Sequence, residues 1–158
     1  MKVRARNVPS EYRPAYKACL RCDSCCMTHP CALAPSDLMR IAAFLGISSA
    51  ELFRKYLVLD YDLTSGKRRY YACPARVGDE PGTIVPCTWT LANSPCVFLR
   101  DNSCTIEQVK PHGGRVFACR LMTASKRNRI GYGKKKAAKD WSRSRMLDQL
   151  MALAQNDA

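Results

Sequence analysis

The clearest hydrophobic pattern along the chain begins just after Pro35. Leu38, Ile41, Ala42 and Leu45 recur at steps of three, one and three, which gathers their side chains on one face of a helix. Ser36 is placed to cap the start of this helix and Gly46 its end. Ser48 and Glu51 then have the spacing of a capping box ahead of Leu52, Phe53, Tyr56 and Leu57, which predicts a second short helix and a helical hairpin about Gly46-Ile47. From there the period changes to that of strands. Residues 57–63 and 67–73 flank a Ser65-Gly66 turn and predict a β-hairpin, with Tyr70 and Tyr71 on alternate faces.

Proline and glycine crowd residues 74–95, so loop is expected there, apart from short extended stretches at Ile84-Val85 and from Cys87 to Leu91. Cys96-Val97-Phe98-Leu99 leads to a turn at Asp101-Asn102, then to Cys104 and a brief helical stretch that Pro111 ends. Near the C-terminus Leu147, Leu150, Met151 and Ala154 return to helical spacing. Residues 1–18 keep no sustained period and read as an extended arm. Trp89 and Trp141 read as packing residues.

Charge changes this picture in one place. The 158 residues carry 26 Lys and Arg against 13 Asp and Glu, a net +13, and much of the excess falls between Ser125 and Arg145, where Asp140 is the single acid. The final helix is therefore amphipathic with a basic front half. A surface of this sign attracts polyanions or acidic proteins without choosing between them. Only Tyr132 and Trp141 are interleaved with these charges, which argues against a stacking platform for single strands.

Cysteine usage changes it more. There are ten cysteines but no apolar run behind the basic N-terminal residues, so a secretory signal is not indicated. No stretch of about 18 uncharged apolar residues exists to span a membrane. A cytoplasmic location is expected, where thiols serve as metal ligands or redox groups more often than as disulfides. Four thiols stand within eight residues at Cys19, Cys22, Cys25 and Cys26, a C-x2-C-x2-C-C run. Short loops of this spacing turn several sulfurs toward one centre in zinc and in iron–sulfur sites alike. The pattern as a whole reads as an α+β fold: a small irregular metal-centred domain with short helices, a β-hairpin and a basic C-terminal helix.

The four-cysteine run, followed in order by Cys96-Val97-Phe98-Leu99, Cys104-Thr105-Ile106-Glu107, Pro111 and Cys119-Arg120, resembles the YkgJ-type CxxCxxCC cysteine-cluster family, described as zinc- or iron-chelating. The family pattern is the opening cluster, a C-x-F-L element, a C-x-I-Y element and an R-P-x-x-C-R element. The ligands the resemblance implies are Cys19, Cys22, Cys25, Cys26, Cys96, Cys104 and Cys119. This sequence departs from the pattern in three respects. Lys110 stands where Arg is usual, Glu107 stands where an aromatic residue is usual, and seven residues rather than two separate Pro111 from Cys119. A more distant resemblance extends to flagellin lysine N-methylases, which share such a cluster.

Seven to ten thiols exceed the four ligands of one structural zinc, so either two metal sites or one cubane with spare cysteines is implied. Cys19, Cys22 and Cys25 reproduce the C-x2-C-x2-C run that ligates three irons of a 4Fe-4S cluster, which makes that cluster the first choice and zinc the alternative. His29 falls where the fourth cysteine of a ferredoxin run would lie. Cys31, Cys73, Cys87 and His112 have no counterpart in the pattern, although Cys73 and Cys87 could complete a second site. The chain thus divides into an arm (1–18), a metal-binding domain (19–120) and a basic helical tail (121–158). The expected function is cluster binding in redox chemistry or in transfer of metal to another protein. The alternatives are a zinc-stabilised nucleic-acid-binding module and an enzyme, SAM-dependent or redox, of the methylase type. The expected partner, met through the basic tail, is an acidic protein or nucleic acid.

Overall fold

The computed structural model describes residue 26 and residues 31–63, 66–85, 94–116 and 133–156. Cys19, Cys22, Cys25, His29, Cys87 and Cys119, the N-terminal arm, Trp89 and the extended stretch expected from Cys87 to Leu91 lie outside the described residues. The elements run α1 (Pro35–Leu45), α2 (Ser49–Tyr56), β1 (Leu57–Asp62), β2 (Arg69–Pro74), β3 (Leu99–Arg100), β4 (Ser103–Cys104), a 3-10 turn (Glu107–Val109), α3 (His112–Val116), α4 (Lys134–Trp141) and α5 (Arg145–Asn156). This is a small α+β domain.

The helical hairpin forms as the pattern requires, with one change at its start. α1 begins at Pro35 and not beyond Ser36. Its cap is Ala34, whose backbone N–H donates to Asp37 Oδ2 at 2.8 Å while Asp37 N–H donates back to Ala34 carbonyl at 2.9 Å. Proline suits the first helical position because its missing N–H would have no partner there. Gly46 closes the helix in the left-handed region (φ 68°), and Ile47 N–H returns to Ala42 carbonyl at 3.1 Å. At α2 the capping box is reciprocal: Glu51 N–H donates to Ser48 Oγ at 3.1 Å and Ser48 N–H to Glu51 Oε2 at 3.0 Å.

β1 and β2 pair antiparallel from Leu57 opposite Pro74 to Asp62 opposite Arg69. The inner half of this hairpin is enclosed. α4 packs against both strands, and Ile84 runs parallel to Leu59 beside β1. Residues 57–60 and 71–74 are accordingly buried without alternation. Tyr71 is fully enclosed, its hydroxyl donating to buried Asp60 Oδ2 at 2.9 Å, while Tyr70 is half-buried against Tyr61.

The basic tail differs from expectation in being two helices. α4 ends at Trp141, and Ser144 starts α5 by accepting at its Oγ the N–H of Met146 at 3.3 Å and at its carbonyl the N–H of Leu147 at 3.1 Å. Trp141 explains the break. Its indole is fully buried and donates Nε1–H to Leu33 carbonyl at 2.8 Å, while Leu33 N–H donates to Ala72 carbonyl at 3.0 Å, so the tail is tied through Leu33 to β2. Ala137, Ala138, Leu150 and Ala154 join the same apolar core as Leu38, Leu52, Phe53 and Leu59. The described residues include no helix long and apolar enough to cross a membrane.

Candidate metal centre

Of the seven cysteines implied as ligands, the described residues include Cys26, Cys96 and Cys104, and the backbone makes neighbours of them. Cys96 N–H donates to Cys26 carbonyl at 2.9 Å, which ties the last cysteine of the opening run to the C-x-F-L element. Cys96 carbonyl accepts the N–H of Leu99 at 2.9 Å, and Leu99 pairs with Cys104 across the β3–β4 hairpin. That hairpin turns at Asp101 and Asn102, both in the left-handed region (φ 47° and 55°), the geometry a two-residue turn needs to match strand twist. Asp and Asn tolerate it better than most side chains.

Phe98 anchors the element from the other side. It is buried, and its ring stacks on Tyr56 at the end of α2 with centroids 5.3 Å apart. Thr105 N–H and Oγ1 both donate to Phe98 carbonyl, at 2.8 and 3.1 Å. The apolar F-L residues of the motif thus fix the loop to the scaffold, while its cysteines stand at the loop's ends.

Burial pushes the Cys104 thiol up to about 12, with the Glu107 carboxylate adding to the shift, Lys110 opposing it, and Cys96 close enough to raise it further. In the chain by itself Cys104 is therefore a neutral thiol. A bound metal cation removes this penalty by supplying the opposite charge. Among the described residues no three His, Cys, Asp or Glu side chains converge closely enough to hold a metal by themselves. The donors present at Cys26, Cys96 and Cys104 are soft thiols, which suits zinc or iron–sulfur and not calcium or magnesium.

Two of the three departures from the family pattern meet in space. Lys110 Nζ lies 3.4 Å from Glu107 Oε1, a largely buried ion pair beside Cys104. An Arg-for-Lys and aromatic-for-Glu pattern is thus replaced here by a matched pair of opposite charges. Cys31 sits on the same flank. A Cβ on Gly114 would come within 3.0 Å of both Cys31 Sγ and Lys110 Cγ, so a larger residue there would displace one of them. Cys73 is fully buried in β2, and Cys26, Cys31, Cys73, Cys96 and Cys104 form no disulfide.

Residues 18–143 match the CxxCxxCC family, whose description is "Putative zinc- or iron-chelating domain". The chain belongs to this family. The CxxCxxCC match spans the opening cluster, the hairpin scaffold and the later cysteines together. No curated protein and no solved structure matches the chain.

The residues that composition did not disclose are those that hold the CxxCxxCC cysteine loops in place. Buried Asp37 accepts from Ala34 N–H and from His112 N–H at 2.7 Å and pairs with Arg40, whose Nη2 also donates to Lys110 carbonyl at 3.1 Å. His112, which had no assigned role, contributes its backbone N–H to this tie. Arg76 and Asp79 form a second buried pair, described below. A Pro followed two residues on by Asp, and an Arg three residues before an Asp across a glycine, are the only traces these ties leave in the sequence.

Proposed function

We propose that this member of the CxxCxxCC family holds a 4Fe-4S cluster, with ligands drawn from Cys19, Cys22, Cys25, Cys26, Cys96, Cys104 and Cys119, and that it serves in redox chemistry or in transfer of metal to another protein. The observation that carries the reading is the tie from Cys26 to Cys96 and onward to Cys104. It connects the end of the C-x2-C-x2-C-C run to the two later elements of the motif. The run supplies three thiols at the spacing that ligates a cubane, and a fourth has to come from elsewhere in the chain. Held by these thiolates, such a cluster would supply one-electron transfer, at a potential set by hydrogen bonds to the sulfurs and by burial around them.

Elemental analysis and an absorption spectrum on protein purified without oxygen test this. Iron and acid-labile sulfide at about four each per chain with a broad visible band is the expected result. One or two zinc ions per chain without colour would replace the cluster by the zinc alternative and make the cysteines scaffold.

A second reading concerns the partner and rests on α4. Lys134, Lys135, Lys136, Lys139, Arg143 and Arg145 are exposed on α4 and around its end, opposite the buried Ala137, Ala138 and Trp141. This face meets an acidic partner, nucleic acid or acidic protein, while the apolar face stays in the core. For nucleic acid the affinity falls linearly with salt on logarithmic axes, with a slope set by the number of phosphates contacted. Absence of binding at low salt would remove that partner.

A further inference from the structure

Arg76 and Asp79 lie beyond the end of β2 and belong to no part of the cysteine motif. Their side chains are 4% and 9% exposed. The guanidinium grips the carboxylate in a fork, Nε to Oδ2 at 3.1 Å and Nη2 to Oδ1 at 2.8 Å, and Arg76 N–H donates to the same Oδ2 at 2.8 Å. Asp79 N–H closes the turn on Arg76 carbonyl at 3.0 Å. Taking both charges out of water costs free energy that such a pair commonly only just recovers, so burial of this pair is a weak device for stability. Its effect is geometric, because a fork with a backbone bond on the same carboxylate leaves the turn one conformation.

That turn carries Cys96. Arg76 bridges Cys96 antiparallel, with Val77 N–H on Pro95 carbonyl at 2.8 Å and Val97 N–H on Ala75 carbonyl at 3.0 Å on either side. Ser94 Oγ adds a further bond to Val77 carbonyl. Cys96 in turn holds Cys26 and the Cys104 hairpin, so three implied ligands depend on one short ladder.

We propose that Arg76 and Asp79 are positioning residues for the metal centre, locking the 76–79 turn so that Cys96, and through it Cys26 and Cys104, is held in the geometry that retains metal. The inference rests on the metal reading above, and Arg76 touches neither metal nor substrate in it.

The test uses the full chain loaded with its own metal and follows metal loss to a chelator together with the visible or cobalt-substituted thiolate charge-transfer spectrum. Arg76→Lys keeps the charge but loses the fork, and Asp79→Asn keeps the shape but loses the charge. Each is expected to release metal about 10–100-fold faster and to shift the spectrum, as loss of an outer partner of a metal ligand does. Leu150→Ala, destabilising within the core and not in the Cys96 ladder, is expected to release metal at close to the wild-type rate with an unchanged spectrum. Release at the wild-type rate from both Arg76→Lys and Asp79→Asn would overturn the proposal. Equal acceleration by Leu150→Ala would also overturn it, because metal loss would then follow global stability. Wild-type protein that holds no metal would fail the metal reading itself and is distinguished by the loading step.

Discussion

Across the β1–β2 hairpin six residue pairs face one another in unbroken register, whereas the β3–β4 hairpin that carries Cys104 has two. The first is enclosed by α4 and the helical hairpin and is buried almost end to end. The second is tied to the rest by single bonds: Cys96 to Cys26, Val97 to Ala75, the Phe98 ring to Tyr56. A long ladder in an apolar core loses little when one link goes, because its neighbours hold the register. A loop held by few ties depends on each of them, and the Arg76–Asp79 pair fixes the turn beside which Val97 meets Ala75 and Val77 meets Pro95. The scaffold thus supplies stability, and the cysteine flank supplies geometry.

The largest effect is expected from breaking the scaffold. Trp141→Ala removes a fully buried indole and its bond to Leu33 and should cost about 3–5 kcal/mol, read as a lowered denaturant midpoint. A loss under about 1 kcal/mol would show that α4 is not integral to the core. Asp37→Ala should cost about 2–3 kcal/mol, because it leaves the part-buried N–H groups of Ala34 and His112 without their acceptor. Its effect sharpens the comparison, since amides of residues 110–116 should lose protection from hydrogen exchange before those of β1.

Metal removal divides the two regions more directly. Exchange at residues 96–104 should speed up by about tenfold, roughly 1.4 kcal/mol of local opening, with β1 and β2 amides far less affected. Uniform acceleration across both regions would mean that the scaffold, too, depends on the metal. The smallest effect is at the exposed cap of α2, where Ser48→Ala should cost about 1 kcal/mol. Ser48 N–H and then its hydroxyl hold the Glu51 carboxyl below its ordinary value, helped by Lys55. A depressed carboxylate stabilises the fold above its unfolded value and stops doing so as pH falls through the folded one. In Ser48→Ala the acid limb of the stability curve should therefore be shallower than in wild type between about pH 5 and 3.

The elements that the sequence disclosed are those set by neighbours in the chain. The Ser48–Glu51 box, the Gly46 stop, the left-handed Gly66 between β1 and β2, the Asp101-Asn102 turn and the β1–β2 pairing all depend on residues within a few positions of one another. What stayed hidden depends on residues far apart. Ser36 is the better cap by type, yet α1 is capped at Ala34, whose N–H Asp37 accepts with the carboxylate that also serves His112, 75 positions away. The tail reads as one helix until Trp141 has to reach Leu33, 108 positions back. Arg76 and Asp79 look like surface charges on a glycine turn, and only burial against the Cys96 segment changes that. Of the candidate site, the motif implies which thiols would be ligands, and the structure adds how the segments of Cys26, Cys96 and Cys104 are linked.

The measurement that bears most directly on the central claim is metal content per chain, taken without oxygen, in wild type and in Cys96→Ser, Cys104→Ser and Cys73→Ala. The expected result is about four iron in wild type, loss of most of it in the first two variants and retention in the third, whose thiol is buried in the scaffold. Metal-free wild-type protein, or full retention in both Cys96→Ser and Cys104→Ser, would contradict a centre built on these cysteines.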